Sequence, residues 1–479
     1  MASNRPLIAR FRDIVGDAAV LDAPGDMAPY LRDHRELYTG AALCVVRPGT
    51  TEETSKVVAL CAAERLPVVP QGGNTGLVGG SVPDASGRAI VLGLGRMNRI
   101  RDLDPIDNTM TVEAGCVLAD LQAAAREAGR LFPLSLGAEG SCMIGGNLST
   151  NAGGVQVLRF GNARELTLGL EVVLADGRVW NGLSALRKDN TGYDLKHLFI
   201  GAEGTLGVIT AAVLKLFPLP GAVETALLAV PELDNVLALL SAAREASGDC
   251  VTAFELIPRL GVELVTKHFA GVRAPMETVS AWYVLMEWSA GRGDSRAGAA
   301  EDGALRRALE SFLADRFEAG AVADAVIAQS EAQVKALWHF REILPESQTR
   351  EGGSIKHDVS VPVSRVARFI AEGTRRLEAH MAGIRAFPFG HVGDGNIHFN
   401  VSQPEGMDRD AFHRRWEEIN RLVHDLVMEM GGSFSAEHGI GQLKRAELAR
   451  YAAPVELELM RRVKAALDPD NIMNPGKVL

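Results

Sequence analysis

The sequence has few cysteines, no long apolar run and no excess of basic residues. Its five cysteines are scattered over 479 residues without a Cys-x-x-Cys pair, which predicts reduced thiols in a cytoplasmic protein rather than a disulfide framework. No apolar run approaches the roughly 20 residues that cross a bilayer, and charged residues interrupt the N-terminal segment, so we expect neither a membrane span nor a signal peptide. The net charge of -10 argues against a nucleic-acid partner, because phosphate contacts require a basic face.

Common catalytic motifs are missing as well. Gly93-Leu94-Gly95 begins like a dinucleotide-binding fingerprint but lacks the third glycine, and Gly476-Lys477 lacks the spacing of a phosphate-binding loop. Neither His-Glu-x-x-His nor Gly-x-Ser-x-Gly occurs. NAD-dependent chemistry, phosphate-loop hydrolysis and serine hydrolysis therefore have no local support.

The chain is long enough for two or three domains. Pro218, Pro220 and Gly221 mark a boundary, since glycine clusters are frequent before them and rare after them. The predicted domains are residues 1–218, residues 219–455 and a C-terminal tail of residues 456–479. Helices and strands alternate after the boundary, which predicts an α+β domain. The tail ends in two apolar residues, so we expect it to be docked.

Two glycine-rich blocks precede this boundary. The first, residues 71–81, contains five glycines that let the backbone turn its N–H groups inward, and such a nest binds an anion, most often phosphate. A flexible loop is the alternative. The second, residues 137–154, mixes Gly, Ser, Thr and Asn with the apolar Met143, Ile144 and Leu148, a combination that a solvated linker would not carry. This mixture predicts backbone that lies close against a ligand.

A third segment, residues 387–401, holds His391 and His398, and Glu437 and His438 follow further along the chain. Two histidines and a glutamate are a common ligand set for a divalent metal, and the histidine beside the glutamate can serve as a base. The alternative is two unrelated turns with solvated histidines. A spacing of seven residues would place the two histidines on opposite faces of a regular strand, so the glycines between them are expected to bend the chain.

Taken in order, these blocks resemble the FAD-linked oxidoreductases of the vanillyl-alcohol-oxidase type, also called the p-cresol methylhydroxylase (PCMH) type. Within them, the chain resembles the D-2-hydroxyglutarate and D-lactate dehydrogenase branch. The resemblance rests on residues 70–83, 140–154, 201–210, 390–401, 437–439 and 474–477. It implies an α+β chain: an FAD-binding domain of two α/β subdomains (1–218), a cap domain with an antiparallel sheet that carries the metal site (219–455), and a tail that returns to the FAD domain (456–479).

The resemblance also assigns the residues that bind FAD. They are Pro70, Gln71, Gly72, Gly73, Asn74, Thr75, Gly76, Gly80 and Ser81; Gly137, Ser141, Gly145, Gly146, Asn147, Thr150, Asn151 and Gly153; and Glu203, Gly204, Ile209 and Asn474. Many relatives attach FAD covalently through a histidine in the first glycine loop. Asn74 stands at that place and no histidine lies nearby, so we expect non-covalent FAD.

The same resemblance implies a metal site and a reaction. The assigned residues are His391, His398 and Glu437 for a divalent metal, expected to be Zn²⁺, His438 for the base, and Arg341, Lys356 and Asn400 for the substrate. In the implied reaction the metal holds the C1 carboxylate and C2 hydroxyl of a D-2-hydroxyacid. His438 takes the hydroxyl proton, and the C2 hydride passes to flavin N5.

The substrate assignment depends on two cations. Arg341 and Lys356 correspond to the pair that grips the distal carboxylate in D-2-hydroxyglutarate dehydrogenases, which favours that substrate over D-lactate, with D-malate as a further acidic candidate. The alternative is surface salt bridges to neighbouring acids. Pro345 departs from the pattern, because the dicarboxylate enzymes carry a threonine there and proline cannot donate a hydrogen bond. We expect Ser347 or water to take over that role.

Other interpretations use the same fold. They are a cytochrome-type D-lactate dehydrogenase, the flavin subunit of a glycolate oxidase complex, and a non-catalytic flavin- or metal-binding protein. The resemblance implies electron-transfer flavoprotein or a quinone as the electron acceptor, and a homodimer is our working expectation.

Overall fold

The computed structural model describes residues 5–291 and 303–479, which form two compact units. The first unit combines the residues up to Gly153 with Gly161–Pro218 and Glu437–Leu479, and the second combines Gly154–Phe160 with Leu219–Ala436. Residues 437–455, which the predicted boundaries placed in the second domain, thus group with the first unit. The reason is visible at Ile440 and Gly441, whose N–H groups hydrogen-bond to Glu203 of the first unit.

The first unit contains short helices around small sheets. Its strands are β1 (Val20–Leu21), β2 (Cys44–Val46), β3 (Val68–Gln71), β4 (Ile90–Gly93), β5 (Ile100–Asp104), β6 (Thr109–Glu113), β7 (Arg130–Leu131), β8 (Thr167–Val173), β9 (Val179–Gly182), β10 (Val208–Lys215) and β11 (Phe217–Pro218). Its helices are α1 (Arg5–Val15), α2 (Pro24–Leu31), α3 (Thr51–Glu64), α4 (Leu118–Glu127), α5 (Ile144–Ser149), α7 (Lys196–Phe199), α16 (Arg445–Tyr451) and α17 (Pro454–Leu467).

Two main sheets organise these elements. One has the order β1-β2-β4-β3, with β2, β4 and β3 parallel, and every residue of β2 and β4 is buried, as expected where both faces of a parallel sheet are covered. The other, β5-β6-β10-β8-β9, is antiparallel throughout. Helix α3 begins directly after Thr50, whose side chain accepts a hydrogen bond from the Glu53 N–H and so caps the helix.

The C-terminal segment is docked on strand β3. The Val68 N–H donates to the Ile472 carbonyl at 2.8 Å, and the Asn474 N–H donates back to the Val68 carbonyl at 2.8 Å. These two bonds align residues 472–474 with β3 in a parallel bridge. The segment therefore continues the parallel sheet by one short pairing.

The second unit is built around one large sheet. Its strands are β12 (Pro220–Val230), β13 (Val251–Pro258), β14 (Trp282–Gly291), β15 (Asp324–Ile327), β16 (Ser354–Ile355), β17 (Asp358–Ser360), β18 (Arg385–His391) and β19 (Asn396–Ser402). Its helices are α6 (Val157–Phe160), α8 (Leu233–Ser247), α9 (Arg259–His268), α10 (Ala304–Glu318), α11 (Glu331–Glu342), α12 (Leu344–Glu351), α13 (Val366–His380), α14 (Arg409–His413) and α15 (Trp416–Glu429).

This sheet follows the order β15-β12-β14-β13-β18-β19-β16, with β17 also paired to β19, and all its pairings are antiparallel. Its two faces carry separate buried clusters. Phe254 and Trp288 belong to one cluster, and Ile257 and Tyr283 belong to the other. The sheet is therefore covered by helices on both faces, which explains why every residue of β13 is buried.

Strands β18 and β19 form a hairpin whose turn is a 3-10 helix, Val392–Asp394. Gly395 follows the turn in the left-handed region with φ of 83°. A Cβ at this position would lie 2.1 Å from the Val361 carbonyl oxygen, so only glycine fits. The predicted bend between the two histidines is confirmed.

Both units mix helices with predominantly antiparallel sheets, which confirms the predicted α+β class. Within residues 5–291 and 303–479, every helix is too short or too polar to cross a bilayer.

Lys464 of α17 lies at the base of the docked tail. Its Nζ donates to Asp468 Oδ2 at 2.5 Å and to the carbonyls of Thr205 and Met473 at 2.8 Å each. Asp468 in turn accepts hydrogen bonds from the N–H groups of Ile472 and Met473. This ion pair is mostly buried and ties the tail to the first unit.

We predict that Lys464→Met lowers the free energy of unfolding by about 3 kcal/mol, because it leaves the Asp468 carboxylate buried without its cation. Chemical denaturation followed by circular dichroism measures this change. Arg462→Met is the matched control, since Arg462 pairs with Glu458 on the exposed face of the same helix, where such pairs contribute about 0.5 kcal/mol. Equal losses in the two variants would contradict the prediction.

Candidate active site

The two glycine-rich blocks meet in the first unit. A Cβ on Gly73 would lie 2.0 Å from the Ser141 carbonyl oxygen, and a Cβ on Gly145 would lie 2.7 Å from the Ala114 Cβ. Both approaches exclude any side chain. Gly73 therefore brings the backbones of the two blocks together, and Gly145 lets the second block pack closely against Ala114.

Polar side chains fix the shape of the first block. Gln71 Nε2 donates to the carbonyls of Tyr30 (3.0 Å) and Ser81 (2.8 Å). Asn74, at φ 54°, donates through Nδ2 to the Arg32 carbonyl (2.8 Å) and accepts from the Ser81 hydroxyl (2.8 Å). The interpretation of this block as a flexible loop is wrong, because its own side chains hold it.

Beside these contacts the blocks present an open surface. A Cβ built on Gly76, Gly140 or Gly146 would meet no heavy atom of the described residues within 4 Å. The buried oxygens Asn147 Oδ1 and Asn474 Oδ1 have no hydrogen-bond partner within the part of the chain that the structure describes. Buried acceptors are normally satisfied, so a molecule with several donors is expected here. FAD has such donors in its ribityl hydroxyls, its flavin imide and its adenine amino group, so these residues fit it.

Glu203 links this surface to the segment that follows His438. Its Oε1 accepts from the Ile440 N–H at 2.7 Å and its Oε2 from the Gly441 N–H at 2.8 Å. Its backbone N–H donates to the Ser149 carbonyl, and its own carbonyl accepts from Asn474 Nδ2. Burial raises the pKa of Glu203, and the two N–H donors oppose that rise. Both carboxylate oxygens of this predicted cofactor residue thus hold residues 440–441.

The remaining residues predicted to bind FAD also belong to the first unit. They are Pro70, Gly72, Thr75, Gly80, Gly137, Ser141, Thr150, Asn151, Gly153, Gly204 and Ile209. Two of their side chains serve the local backbone: Thr150 Oγ1 donates to the Gly146 carbonyl (3.0 Å), and Asn151 Oδ1 accepts from the Arg164 N–H (3.0 Å). Their assignment to FAD stays a prediction, and the fold gathers them in one unit.

The two histidines of the third segment lie side by side. His391 ends β18, and His398 lies in β19 opposite Phe389. Their ring centroids are 5.5 Å apart. On its other edge β19 pairs with β17, which places Asp358 opposite His398. The interpretation as two unrelated turns with solvated histidines is wrong.

Glu437 follows a segment that is paired with β17. Ser433 and Ser360 exchange two backbone hydrogen bonds, and the Ala436 N–H donates to the Asp358 carbonyl at 3.2 Å. Glu437 directly follows Ala436, which is hydrogen-bonded to β17, and this contact fixes where Glu437 begins.

The carboxylate and imidazole groups at this point fall into two sets. In one set a ligand atom from each of His391, His398 and Glu437 lies within 4.8 Å of the others, and in the second set the same holds for Asp358, Glu437 and His438. Two imidazoles and a carboxylate suit Zn²⁺ and several other divalent ions. The donor set therefore fits the predicted divalent cation.

Glu255 supports His391 and was missed by the sequence prediction. Strand pairing sets it opposite His391, and its Oε1 lies 2.5 Å from His391 Nδ1. Burial alone would raise the pKa of Glu255, but the neighbouring His391 and Arg341 bring it below its ordinary value, so the side chain is an anion. The available signal was a single acid in a mostly apolar strand, since an acid in such a strand needs a buried partner.

Arg341 forms a hydrogen bond to the Glu255 carboxylate, which also contacts His391. It lies in the last turn of α11, is buried, and donates from Nε to Glu255 Oε2 at 2.7 Å. Its guanidinium carbon lies 4.9 Å from the ring centroid of Phe389. The described residues give its two terminal nitrogens no acceptor. The interpretation of Arg341 as a member of a surface salt bridge is therefore wrong.

The other two predicted substrate residues, Asn400 and Lys356, differ in their burial and in their hydrogen bonds. Asn400 is buried, donates from Nδ2 to Gln348 Oε1 (3.0 Å) and accepts from the His357 N–H (3.2 Å), which leaves one amide hydrogen. Lys356 is partly exposed, and its Nζ lies 3.5 Å from Thr349 Oγ1. Lys356 is thus the more exposed of the two.

Pro345 occupies the first turn of α12, where its missing N–H breaks no helical hydrogen bond. Ser347, one of the two expected replacements for the threonine, is fully buried and donates its hydroxyl hydrogen to the Leu344 carbonyl at 2.8 Å. Ser347 is thus committed to its own helix, and water is the remaining expected replacement.

Family comparisons fit this division into a cofactor surface and a cluster of ligands. The family described as "FAD linked oxidases, C-terminal domain" matches residues 219–478, which is more than half of the chain, and the family described as "FAD binding domain" matches residues 42–182. The chain belongs to the FAD-linked oxidases.

Curated relatives match this FAD-linked oxidase along nearly its whole length. The D-2-hydroxyglutarate dehydrogenase of Xanthomonas citri pv. viticola is 38% identical over 473 residues, covering 99% of this chain and 97% of that protein. The mitochondrial D-2-hydroxyglutarate dehydrogenase of Bos taurus is 40% identical over 464 residues, covering 96% and 81%. The predicted resemblance is confirmed, and the chain is an FAD-dependent oxidoreductase.

Among solved structures, p-cresol methylhydroxylase superposes on this FAD-linked oxidase with a TM-score of 0.77, covering 100% of this chain and 97% of that chain at 18% identity. A likeness at this identity concerns the fold alone, and it confirms the predicted PCMH type. The zinc ion, the cytoplasmic location, the homodimer and the electron acceptor stay predictions, and the Bos taurus relative is named as mitochondrial.

For this FAD-linked oxidase we predict that Glu203→Gln loosens the segment after His438. Glutamine keeps one carbonyl oxygen, so one of the N–H groups of Ile440 and Gly441 loses its acceptor at a cost of about 1–3 kcal/mol. Hydrogen–deuterium exchange should show faster exchange in peptides that cover residues 437–444. Glu165→Gln is the control, because Glu165 also accepts a backbone N–H but lies exposed. Unchanged exchange in Glu203→Gln would contradict the prediction.

Proposed function

We propose that this enzyme oxidises D-2-hydroxyglutarate to the corresponding 2-oxoacid. The names of the curated relatives support this substrate. The observation that carries the proposal is the buried series His391–Glu255–Arg341, in which one carboxylate holds a candidate metal ligand and a guanidinium. A 2-hydroxy dicarboxylate fits this series, because each of its two ends requires a cation.

FAD, when bound, supplies the acceptor for the hydride that leaves C2 of the substrate. The glycine-rich blocks would hold it by close backbone approach, and Asn147 and Asn474 would offer their buried amide oxygens to its donors. Asn74 stands where many relatives carry the attached histidine, and its amide is already bonded within its loop. FAD is therefore non-covalent in this proposal, and flavin that stayed on acid-precipitated protein would contradict it.

A divalent cation, when bound, would polarise the C2 hydroxyl and lower its pKa. His391, His398 and Glu437 would hold the cation, with Zn²⁺ as the expected ion and Mn²⁺ as an ion that the same donors accept. His438 takes the hydroxyl proton, while the C2–H electron pair leaves as hydride and the C2–O bond becomes a carbonyl.

Arg341 and Lys356 bind the distal carboxylate. The two terminal nitrogens of Arg341 form a planar fork that matches a carboxylate, and Lys356 adds a second positive charge from a partly exposed position. Asn400 donates its remaining amide hydrogen to the end of the substrate that carries the hydroxyl. D-lactate lacks the distal carboxylate and would leave Arg341 without its ligand.

Anaerobic titration with a panel of hydroxyacids tests the proposal directly. D-2-hydroxyglutarate should bleach the visible flavin absorption, and its kcat/KM should exceed that of D-lactate by about 10–100-fold, because the second carboxylate adds charge-assisted hydrogen bonds. L-2-hydroxyglutarate is the matched control for stereochemistry.

The other outcomes of this titration identify the rival functions. A preference for D-lactate would favour a cytochrome-type D-lactate dehydrogenase, and a preference for glycolate would favour the flavin subunit of a glycolate oxidase complex. Either preference would remove the assigned role of Arg341. Flavin that no hydroxyacid bleaches would indicate a non-catalytic protein.

We predict that His438→Ala lowers kcat by about 10²–10⁴-fold with a smaller change in KM, because the proton acceptor is lost while the cation and the carboxylate-binding groups remain. Steady-state kinetics with D-2-hydroxyglutarate measures the change. His339→Ala is the control, since His339 lies exposed on α11.

Treatment with a chelator should also abolish turnover, and added Zn²⁺ or Mn²⁺ should restore it. Full turnover in metal-free protein would contradict the proposed role of the divalent cation.

A further inference from the structure

Glu255 is a fully buried carboxyl group that contacts both His391 and Arg341 and has no part in the proposed reaction. We propose that Glu255 is a positioning residue that fixes the metal ligand His391 and the carboxylate-binding Arg341 relative to each other, so that it sets the length of substrate the site accepts. This inference rests on the proposed function. It assigns Glu255 neither to the substrate nor to the metal, because both of its oxygens are already occupied.

The contact with His391 sets which ring nitrogen faces the cation. Glu255 Oε1 lies 2.5 Å from His391 Nδ1, so this contact engages Nδ1 and turns Nε2 away from Glu255. A carboxylate behind a metal-binding histidine fixes the ring and makes it a stronger ligand. The ring of His391 is therefore oriented by Glu255 before any ion binds.

The contact with Arg341 sets the direction of the guanidinium. Glu255 Oε2 takes the Nε–H, and the ring of Phe389 lies 4.9 Å from the guanidinium carbon. An unrestrained arginine would lose rotamer entropy on binding a ligand, and this arginine is already held. Its terminal nitrogens thus present the carboxylate-binding fork in one orientation.

The sheet keeps Glu255 itself from moving. β13 lies between β14 and β18, and Glu255 has no exposed surface. The two oxygens of a carboxylate have a fixed separation, so His391 and Arg341 are held at a fixed separation as well. A substrate whose distal charge lies at a different distance would lose one of its two anchors.

The experiment compares Glu255→Gln with a matched control in the FAD-loaded protein. The control is Glu287→Gln, because Glu287 is a largely buried glutamate on the neighbouring strand β14 that bonds only to Trp338, Thr225 and Thr252 among the described residues. Two quantities are measured for each: the Kd for Zn²⁺ by competition with a chromophoric chelator, and KM and kcat for D-2-hydroxyglutarate and D-lactate. FAD content and thermal midpoint are recorded for all variants.

For Glu255→Gln we expect Zn²⁺ binding about 10–100-fold weaker than in the wild type, the usual effect of losing such a carboxylate. We also expect a KM for D-2-hydroxyglutarate raised about 10-fold or more, and a smaller change for D-lactate, which does not use Arg341. In an Arg341→Met background the same substitution should still weaken Zn²⁺ binding but should raise this KM no further. Glu287→Gln should leave both quantities near their wild-type values.

Glu255→Asp keeps the buried charge and replaces Glu255→Gln if that variant does not fold. Its shorter side chain should weaken Zn²⁺ binding and raise KM in the same directions by smaller factors. An unchanged Kd and KM in the folded variant, or changes equal to those of Glu287→Gln, would overturn the inference alone. Wild-type protein that binds no divalent cation would overturn the metal step of the proposed function and this inference together.

Discussion

The second unit depends on the pairing of three strands that carry polar side chains into its interior. β13 sets Glu255 opposite His391 of β18, and β19 sets His398 beside Phe389 of β18. Because side chains alternate between the faces of a sheet, a shift of one residue in either pairing would move Glu255 or His398 to the opposite face. A buried carboxylate without its partners would then cost several kcal/mol. The charged contacts and the apolar packing therefore favour the same register.

Much of this arrangement could be predicted from local sequence. The mixture of Gly, Ser, Thr and Asn with apolar residues in residues 137–154 predicted backbone close against a ligand; within the protein itself, Gly145 of this block is a position where a Cβ would overlap neighbouring atoms. The seven-residue spacing of His391 and His398 required a bend, and Gly395 provides it. Glu255 could not be placed from its own segment. Its partners come from β18 and α11, which are far along the chain, and only strand pairing brings them together.

Three of the side chains assigned to FAD show a second limit of prediction. The resemblance assigned Gln71, Asn74 and Glu203 to FAD as members of a motif. In the structure their side chains hold backbone: Gln71 and Asn74 fasten the first loop, and Glu203 fastens residues 440–441. A residue type can be required near a cofactor because it shapes the surface that the cofactor meets. Sequence patterns do not separate that role from direct contact, whereas hydrogen-bond geometry does.

The docked tail bears on how the protein is made. The bond from Asn474 Nδ2 to the Gly80 carbonyl joins residues 394 positions apart, and residues 472–474 complete the pairing of β3. On the ribosome, all of the second unit emerges before these residues do, so it can fold while β3 still lacks its last partner. Contacts of such long range form slowly. The surface that fits FAD is thus completed only after the whole second unit has emerged.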